Sequence, residues 1–436
     1  EMERARDEAL PEIIKQKKIL KDPNAISAIR QLQTTLALAP SSLPTTDDSV
    51  QGPPNNVGYL NPVEHLDILV CMMRWKPTLQ PVDQSALVTV MDAVDAWYDE
   101  VSNGRVDLRV QYAGNIVWPG HTYGSVETHD EEAYAAIETC DSEVDFTAID
   151  LLLVFPSTLE SAQSGWAGMR TSSFVTDDGT VDLKRVHIGP NIITADPTDG
   201  DTISFVPSLI EHEIGHTFGL DHTNALDCGN AAFRSNYRQS CGVREYENYF
   251  SALGYTGLDT WHAGDFTAWQ KHLIGWIPEQ SVQTDGSYTL RAFRGNGSGS
   301  PFIRIPFVYQ FLDQSVCLEY RKPLGTDADL WTELLYGSLT EEAEMQIDSA
   351  SMTADGCVFV SFCNRGTQSS QRDVLIDTHP DTLHTPFHGQ YHRDPIDACV
   401  KNGESFANSD LGISLSVSVG ANDTATVDLN LDESKL

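Results

Sequence analysis

Apolar residues recur along this chain with two different periods, and the change between them divides it. Over Gln84 to Val101, Leu87, Val90, Met91, Val94 and Trp97 repeat at three- and four-residue spacing, which predicts a helix with one apolar face. Residues 130–140 read as a second, shorter helix. Leu66 to Met72 and Ile149 to Phe155 are rich in consecutive apolar residues and predict buried strands, and Val106 to Tyr112 alternates like a half-buried one. Val186-His187-Ile188-Gly189 predicts another short strand. Strands separated by helices imply an α/β layer. From about residue 282 the helical period disappears. Ser287 to Leu290, Phe302 to Ile305, Val316 to Tyr320, Val358 to Val360, Val374 to Ile376 and Ile413 to Val417 are short strand-like segments parted by turn residues. They predict an all-β domain of sandwich type.

The first forty residues differ again. They carry Lys, Arg, Glu, Ala, Ile and Leu in a pattern expected for one or two amphipathic helices, broken near Pro23. Residues 40–62, with Pro53-Pro54 among Ser, Thr, Asp, Gly and Asn, read as a linker. Three regions result: an N-terminal helical arm and linker over 1–62, an α/β domain over 63–280, and a C-terminal β-sandwich domain over 281–436. The arm suits a pro-segment, a docking element for self- or hetero-assembly, or an extension packed on the body.

Composition narrows the surroundings. The chain has 436 residues and a formal charge of −35, from 63 acidic and 28 basic side chains. A surface of that sign repels nucleic acid and anionic membranes. No apolar run is long enough to span a bilayer. The eight cysteines form no CxxC pair and fit disulfides made in an oxidising compartment, so the expected location is extracellular. Cys228 with Cys241 and Cys357 with Cys363 are the plausible local pairs, although spacing alone does not fix connectivity. No signal peptide is visible, and a chain beginning at Glu1 reads as a secreted form already processed. Asn296-Gly297-Ser298 and Asn422-Asp423-Thr424 are glycosylation sequons, relevant in a eukaryotic secretory pathway.

The chemistry is concentrated in Glu211-His212-Glu213-Ile214-Gly215-His216-Thr217-Phe218-Gly219-Leu220-Asp221-His222. His212 and His216 are four apart, so a helix puts both imidazoles on one face within reach of one ion. Gly219 can take positive φ and turn the chain sharply out of that helix. The turn returns His222 as a third ligand. Three neutral imidazoles leave the fourth zinc position for water, as in catalytic rather than structural sites. Glu213, beside His212, is placed to take that water's proton and pass it to a leaving amine.

This HExxHxxGxxH pattern resembles the metzincin peptidases. Further segments resemble the gametolysin-like group and its bacterial relatives similar to immune inhibitor A. Glu245 to Gly254 resembles the stretch that carries that group's Met-turn, and Phe266 to Ile277 resembles the helix and Leu-Gly-Trp ending of such catalytic domains. Cys317 to Gly325, Leu375 to Pro380 and Gly403 to Phe406 resemble segments of their β domains. The resemblance spans about residues 64–430. It implies an α+β metzincin-like catalytic domain, with a mixed sheet and an active-site helix, followed by the β-sandwich. It also implies a zinc endopeptidase acting on extracellular or cell-wall proteins, with Glu213 catalytic and His212, His216 and His222 on Zn2+. One departure is that Leu253 stands where the Met-turn methionine belongs; leucine has similar volume and keeps the floor apolar. Tyr255, two residues on, falls where some metzincins place a tyrosine near zinc.

The remaining candidates carry weaker signals. His187, His262 and His272 are expected to be structural. His379, His384, His388 and His392 cluster in the β domain as a polar loop or a second metal site. Asp177-Asp178-Gly179 and residues 196–201 are acidic turns that can offer oxygens to Ca2+, though neither fits an EF-hand and solvated turns are the expectation. With no cysteine before Cys71, a cysteine-switch pro-segment is excluded; if the arm is inhibitory it must use another ligand, for which Asp47 or Asp48 is only a guess. The competing functional reading is an inactive extracellular adhesion or assembly protein on the same fold.

Overall fold

A computed structural model of the chain describes residues 60, 65–74, 83–117, 129–141, 144–157, 165–177, 179–188, 205–236, 240–254, 264–309, 312–328, 355–364, 373–380, 397–432 and 434–435. The chain separates into two compact units, Glu1–Ser49 and Val50–Leu436. The first lies wholly outside the described residues, as do the helical arm and nearly all of the linker expected for residues 1–62.

The N-terminal part of the second unit is a sheet with helices on both faces. Strands β1 (His65–Arg74), β2 (Asp107–Val117), β3 (Leu151–Ser157), β4 (Gly165–Thr176) and β5 (Gly179–Ile188) lie in the order β2-β1-β3-β5-β4. The first four in that order run parallel, and β4 pairs antiparallel to β5 at the edge. Helix α1 (Gln84–Ser102) links β1 to β2, and α2 (His129–Cys140) lies between β2 and β3. The two crossovers run to opposite sides of β1, so right-handed connections put the helices on opposite faces. The period of two along β1 shows the result. Leu66, Ile68, Val70 and Met72 face the core with α1, and Leu69, Cys71 and Met73 face the core with α2.

Local chemistry sets the ends of α1. Asp83 caps its start, its carboxylate accepting the amides of Ser85 (2.9 Å) and Ala86 (3.3 Å). Asn103 at φ 58° and Gly104 at φ 72° end it in left-handed backbone. Its apolar side, Leu87, Val90, Met91, Val94, Trp97, Tyr98 and Val101, is buried as the spacing predicts. Helix α3 (Phe205–Thr217) packs in the same core through Leu209, Ile210 and Ile214.

Among the described residues the rest is mainly β structure, with a short helix α4 (Ala268–Leu273) whose Thr267 and Gln270 form a capping box. The further strands are β6 (Asn224–Asp227), β7 (Gly242–Arg244), β8 (Gln280–Ser281), β9 (Gly286–Arg291), β10 (Phe302–Tyr309), β11 (Leu312–Arg321), β12 (Cys357–Cys363), β13 (Asp373–Ile376), β14 (Val400–Lys401), β15 (Ser405–Asn408), β16 (Ile413–Val419) and β17 (Thr424–Leu431). One sheet runs β7-β6-β13-β12-β11-β10-β8, with β14 beside β12, and a second runs β15-β16-β17-β9. They bury one core between them, with Ile305, Leu318, Val358 and Val360 from the first and Leu290, Leu415, Val427 and Leu429 from the second. That is the expected face-to-face arrangement of two sheets. Strands β6 and β7 come from before residue 280, so this sheet reaches back across the 280–281 boundary expected from sequence.

Four disulfides join Cys71 to Cys140, Cys228 to Cys241, Cys317 to Cys363 and Cys357 to Cys399. The local pair Cys228–Cys241 is as expected. The expected Cys357–Cys363 pair is not: both residues lie on β12, six apart, and an extended strand separates their Cα atoms by roughly 20 Å. Disulfides need Cα atoms within about 7 Å, so each cysteine pairs across the sheet or to the segment before β14.

Candidate metal centre

The site begins on α3. Pro207 fits the first turn, where its missing N–H goes unneeded, and residues 207–217 are buried throughout. His212 and His216 sit one turn apart with their rings 4.8 Å between centroids and Nε2 atoms 3.1 Å apart. Gly219 then takes φ 84°, conformational freedom a side chain would oppose, and the helix ends. The chain swings back through His222, whose ring lies 4.6 Å from that of His216 and 5.4 Å from that of His212. Immediately after, Asn224 starts β6, whose register with Val374 of β13 holds the returning strand.

The second nitrogen of each ring is committed. Nδ1 of His212 lies 2.8 Å from the carbonyl of Ala252, and Nδ1 of His216 lies 2.7 Å from that of Leu220. A carbonyl only accepts, so both Nδ1 atoms carry the proton and both Nε2 atoms present lone pairs. Two lone pairs facing each other at 3.1 Å repel unless a cation lies between them. Nδ1 of His222 meets Oε1 of Glu245 at 2.8 Å, which turns its Nε2 towards the others in the same way.

The donor set fits a zinc ion. One ligand atom from each of His212, His216 and His222 lies within 4.8 Å of the others, and no other group of three or more His, Cys, Asp or Glu among the described residues is placed to share an ion. Nitrogens around tetrahedral zinc at ~2.0–2.1 Å stand about 3.3 Å apart, so small side-chain adjustments complete the geometry. Burial keeps His212 well below the ordinary histidine range, helped by the neighbouring His216 and His222, and brings His216 down to about 4. Both are therefore neutral, as ligands must be. Glu213 is buried on the same turn, and burial pushes its carboxyl up to about 8. A divalent cation beside it stabilises the carboxylate and opposes that shift.

Beneath the helix, Leu253 is fully buried, and a Cβ built on Gly215 would come within 3.1 Å of its Cδ2. Leu253 thus packs under the turn between the two helical histidines. Its neighbour Ala252 supplies the carbonyl that orients His212.

Two residues were not singled out from the sequence. Glu245 lies inside the segment compared with the Met-turn, but its pairing with His222 depends on the fold. Tyr246 follows it with φ 66°, and its ring stands 3.9 Å from that of His222 and 6.2 Å from that of His212, stacked on the latter at 24°. Burial, then the carboxylates of Glu245 and Glu213, holds its phenol above the ordinary tyrosine value.

The other candidates among the described residues stand apart from this centre. His187 pairs with Glu132 at 2.8 Å in the core beneath α2, and His272 lies 3.3 Å from Glu279. His379 sits beside the carbonyl of Asp397 at 2.7 Å. Asp177 is exposed, with its amide donating to Asp141 at 2.7 Å, and nothing there supports calcium. Tyr255, His262, His384, His388, His392, Asp178, residues 196–201, Asp47 and Asp48 lie outside the described residues.

Residues 84–223 match the reprolysin-like metallo-peptidase family M12B. The match takes in α1, the first sheet from β2 onwards, α3 and all three histidines, and is under half of the chain. No curated protein matches. Among solved structures, wild-type OgpA from Akkermansia muciniphila is 10% identical with a TM-score of 0.27, covering 86% of this chain and 97% of its own. Catalytically inactive OgpA in complex with an O-glycopeptide (glycodrosocin) substrate is also 10% identical, with a TM-score of 0.26, covering 86% of this chain and 96% of its own. Likenesses of that size are too slight to bear on fold or function here.

Proposed function

We propose that this chain is a secreted zinc endopeptidase of metzincin type that hydrolyses extracellular or cell-wall proteins. In this reading His212, His216 and His222 hold the ion and Glu213 is the catalytic base. One observation carries the reading: two buried imidazoles with Nδ1 tied to backbone carbonyls turn bare Nε2 atoms towards each other, a third closes on them, and a buried carboxyl lies on the same helical turn. The metallo-peptidase match over residues 84–223 supports it independently. Four disulfides support an oxidising location, and among the described residues no helix is long and apolar enough to cross a membrane.

Zinc, when bound, supplies Lewis-acid polarisation of the scissile carbonyl and lowers the pKa of water from ~15.7 towards ~7. The chain's own residues do the rest. The carbonyls of Ala252 and Leu220 and the carboxylate of Glu245 fix the three imidazoles in their ligating tautomer. Glu213 accepts the proton of the attacking water and returns it to the leaving amine nitrogen. No side chain forms a bond to the substrate. We assign this chemistry to residues 63–280, with 1–62 as an arm and 281–436 as a β domain that anchors β6.

The test is cleavage of casein or gelatin by the purified chain. Activity should disappear with a zinc chelator, return with added zinc, and be absent from Glu213→Ala at unchanged zinc content. Zinc bound at one ion per chain with no cleavage by any form, including one that lacks residues 1–50, would instead favour the adhesion or assembly reading.

A further inference from the structure

Tyr246 occupies a costly conformation for which the fold alone gives no return. A non-glycine residue in left-handed backbone loses about 1–2 kcal/mol, and asparagine or aspartate are the usual exceptions. Tyr246 is held there at φ 66° by its own amide, which donates to the side chain of Asn224 at 3.2 Å. Asn224 is itself buried as the first residue of β6, so the anchor is part of the sheet. The constraint directs the tyrosine ring outward over His222 and alongside His212 instead of into a core, and 36% of the residue stays exposed. Among the described residues its hydroxyl makes no hydrogen bond, although it is a natural donor. A strained backbone, a rigid anchor and an unused donor on a ring beside two of the three imidazoles are what an active site builds to meet charge on a substrate.

We infer that Tyr246 is a catalytic residue of the peptidase reaction proposed above, its phenol donating a hydrogen bond to the scissile carbonyl oxygen as that oxygen gains negative charge. The inference rests on that reaction and adds a residue to it. The hydroxyl keeps its proton throughout: it stabilises the tetrahedral arrangement and releases it when the amine departs. Because the donor meets charge that develops only on the way to the transition state, it should act on turnover and little on binding of intact substrate.

Tyr246→Phe keeps the ring over His222 and removes only the donor. With casein-derived peptide substrate, the expected result is a fall in kcat of about 10²-fold with KM changed by less than about threefold. Zinc should remain at one ion per chain. A phosphinic analogue of the peptide bond cut in casein should bind more weakly by about the same factor as kcat/KM falls. A kcat within twofold of the parent at full zinc loading overturns the inference, as does a loss of activity matched by a loss of zinc, which would make the ring a wall for His222. Should Tyr246→Phe fold poorly, Tyr246→Leu, which also lacks the donor, gives the same two outcomes when its zinc content and phosphinate affinity are read beside kcat. A parent chain that cleaves nothing while holding zinc removes the peptidase reading itself, whereas a cleaving parent with an equally active Tyr246→Phe removes this inference alone.

Discussion

At the scale of single residues, the site is governed by what each histidine does with its second nitrogen. His212 and His216 are oriented by carbonyls that arrive with the backbone, so no substitution can remove those acceptors cleanly. His222 is oriented by a side chain, Glu245, at 2.8 Å. Carboxylates that orient ligating histidines typically contribute 10- to 100-fold in metal affinity. Glu245→Ala is therefore expected to weaken zinc binding by about that range while leaving the fold intact, as measured by competition with a chromophoric chelator. Unchanged affinity would mean that the strand register of β6 alone places His222.

At the scale of elements, α3 is fixed from below. Gly215 permits close approach of Leu253 and of Phe266, whose ring would lie 3.0 Å from an added Cβ. Leu253 is fully buried between the helix and the segment that carries Ala252. Truncating a buried leucine costs about 2–5 kcal/mol, whereas a leucine-to-methionine exchange costs under about 1.5 kcal/mol because the volume is kept. Leu253→Ala should lower the melting temperature strongly and reduce zinc occupancy, since Ala252 moves with it. Leu253→Met should retain both, which calorimetry with metal analysis would check. A Leu253→Ala variant as stable as the parent would show that the floor of the site lies elsewhere.

At the scale of the whole molecule, a buried ionic network joins the segment before and within α4 to the β sheets. Lys271 pairs with Asp265, Arg321 with Asp327 and Glu319, and the hydroxyl of Thr267 donates to Asp373 on β13. Burial raises Asp373 to about 7, against an unfolded value near 4, partly offset by its hydrogen bond from Thr267. The folded chain thus holds a proton here that the unfolded chain has released between about pH 4 and pH 7. This group's stabilisation is complete below about pH 4 and is lost as pH rises through about 7. Asp373→Asn keeps an acceptor for Thr267 without the charge. Its melting temperature relative to the parent should rise between pH 5 and pH 8; parallel curves across that range would show that Asp373 does not titrate as the burial implies.

The sequence by itself determined what periodicity and local chemistry control. The helix at Gln84 to Ser102, the buried runs that became β1 and β3, the paired histidines of α3 and the left-handed turn at Gly219 all follow from residues close together in the chain. The edge strand β4 was not legible, because a strand paired on one side shows little apolar bias. Nor were β6 and β7: β6 is a short segment that becomes a strand through pairing with β13, more than a hundred residues later, and β7 through pairing with β6. The same gap explains the cysteines: Cys357 and Cys363 are neighbours in sequence but stretched apart along β12, so their partners are set by the sheet. Glu245 and Tyr246 reach His222 only because β6 fixes the returning chain and Asn224 fixes Tyr246. Spacing can name ligands that share a helix and its turn, whereas the groups that orient them are chosen by strands that meet across the fold.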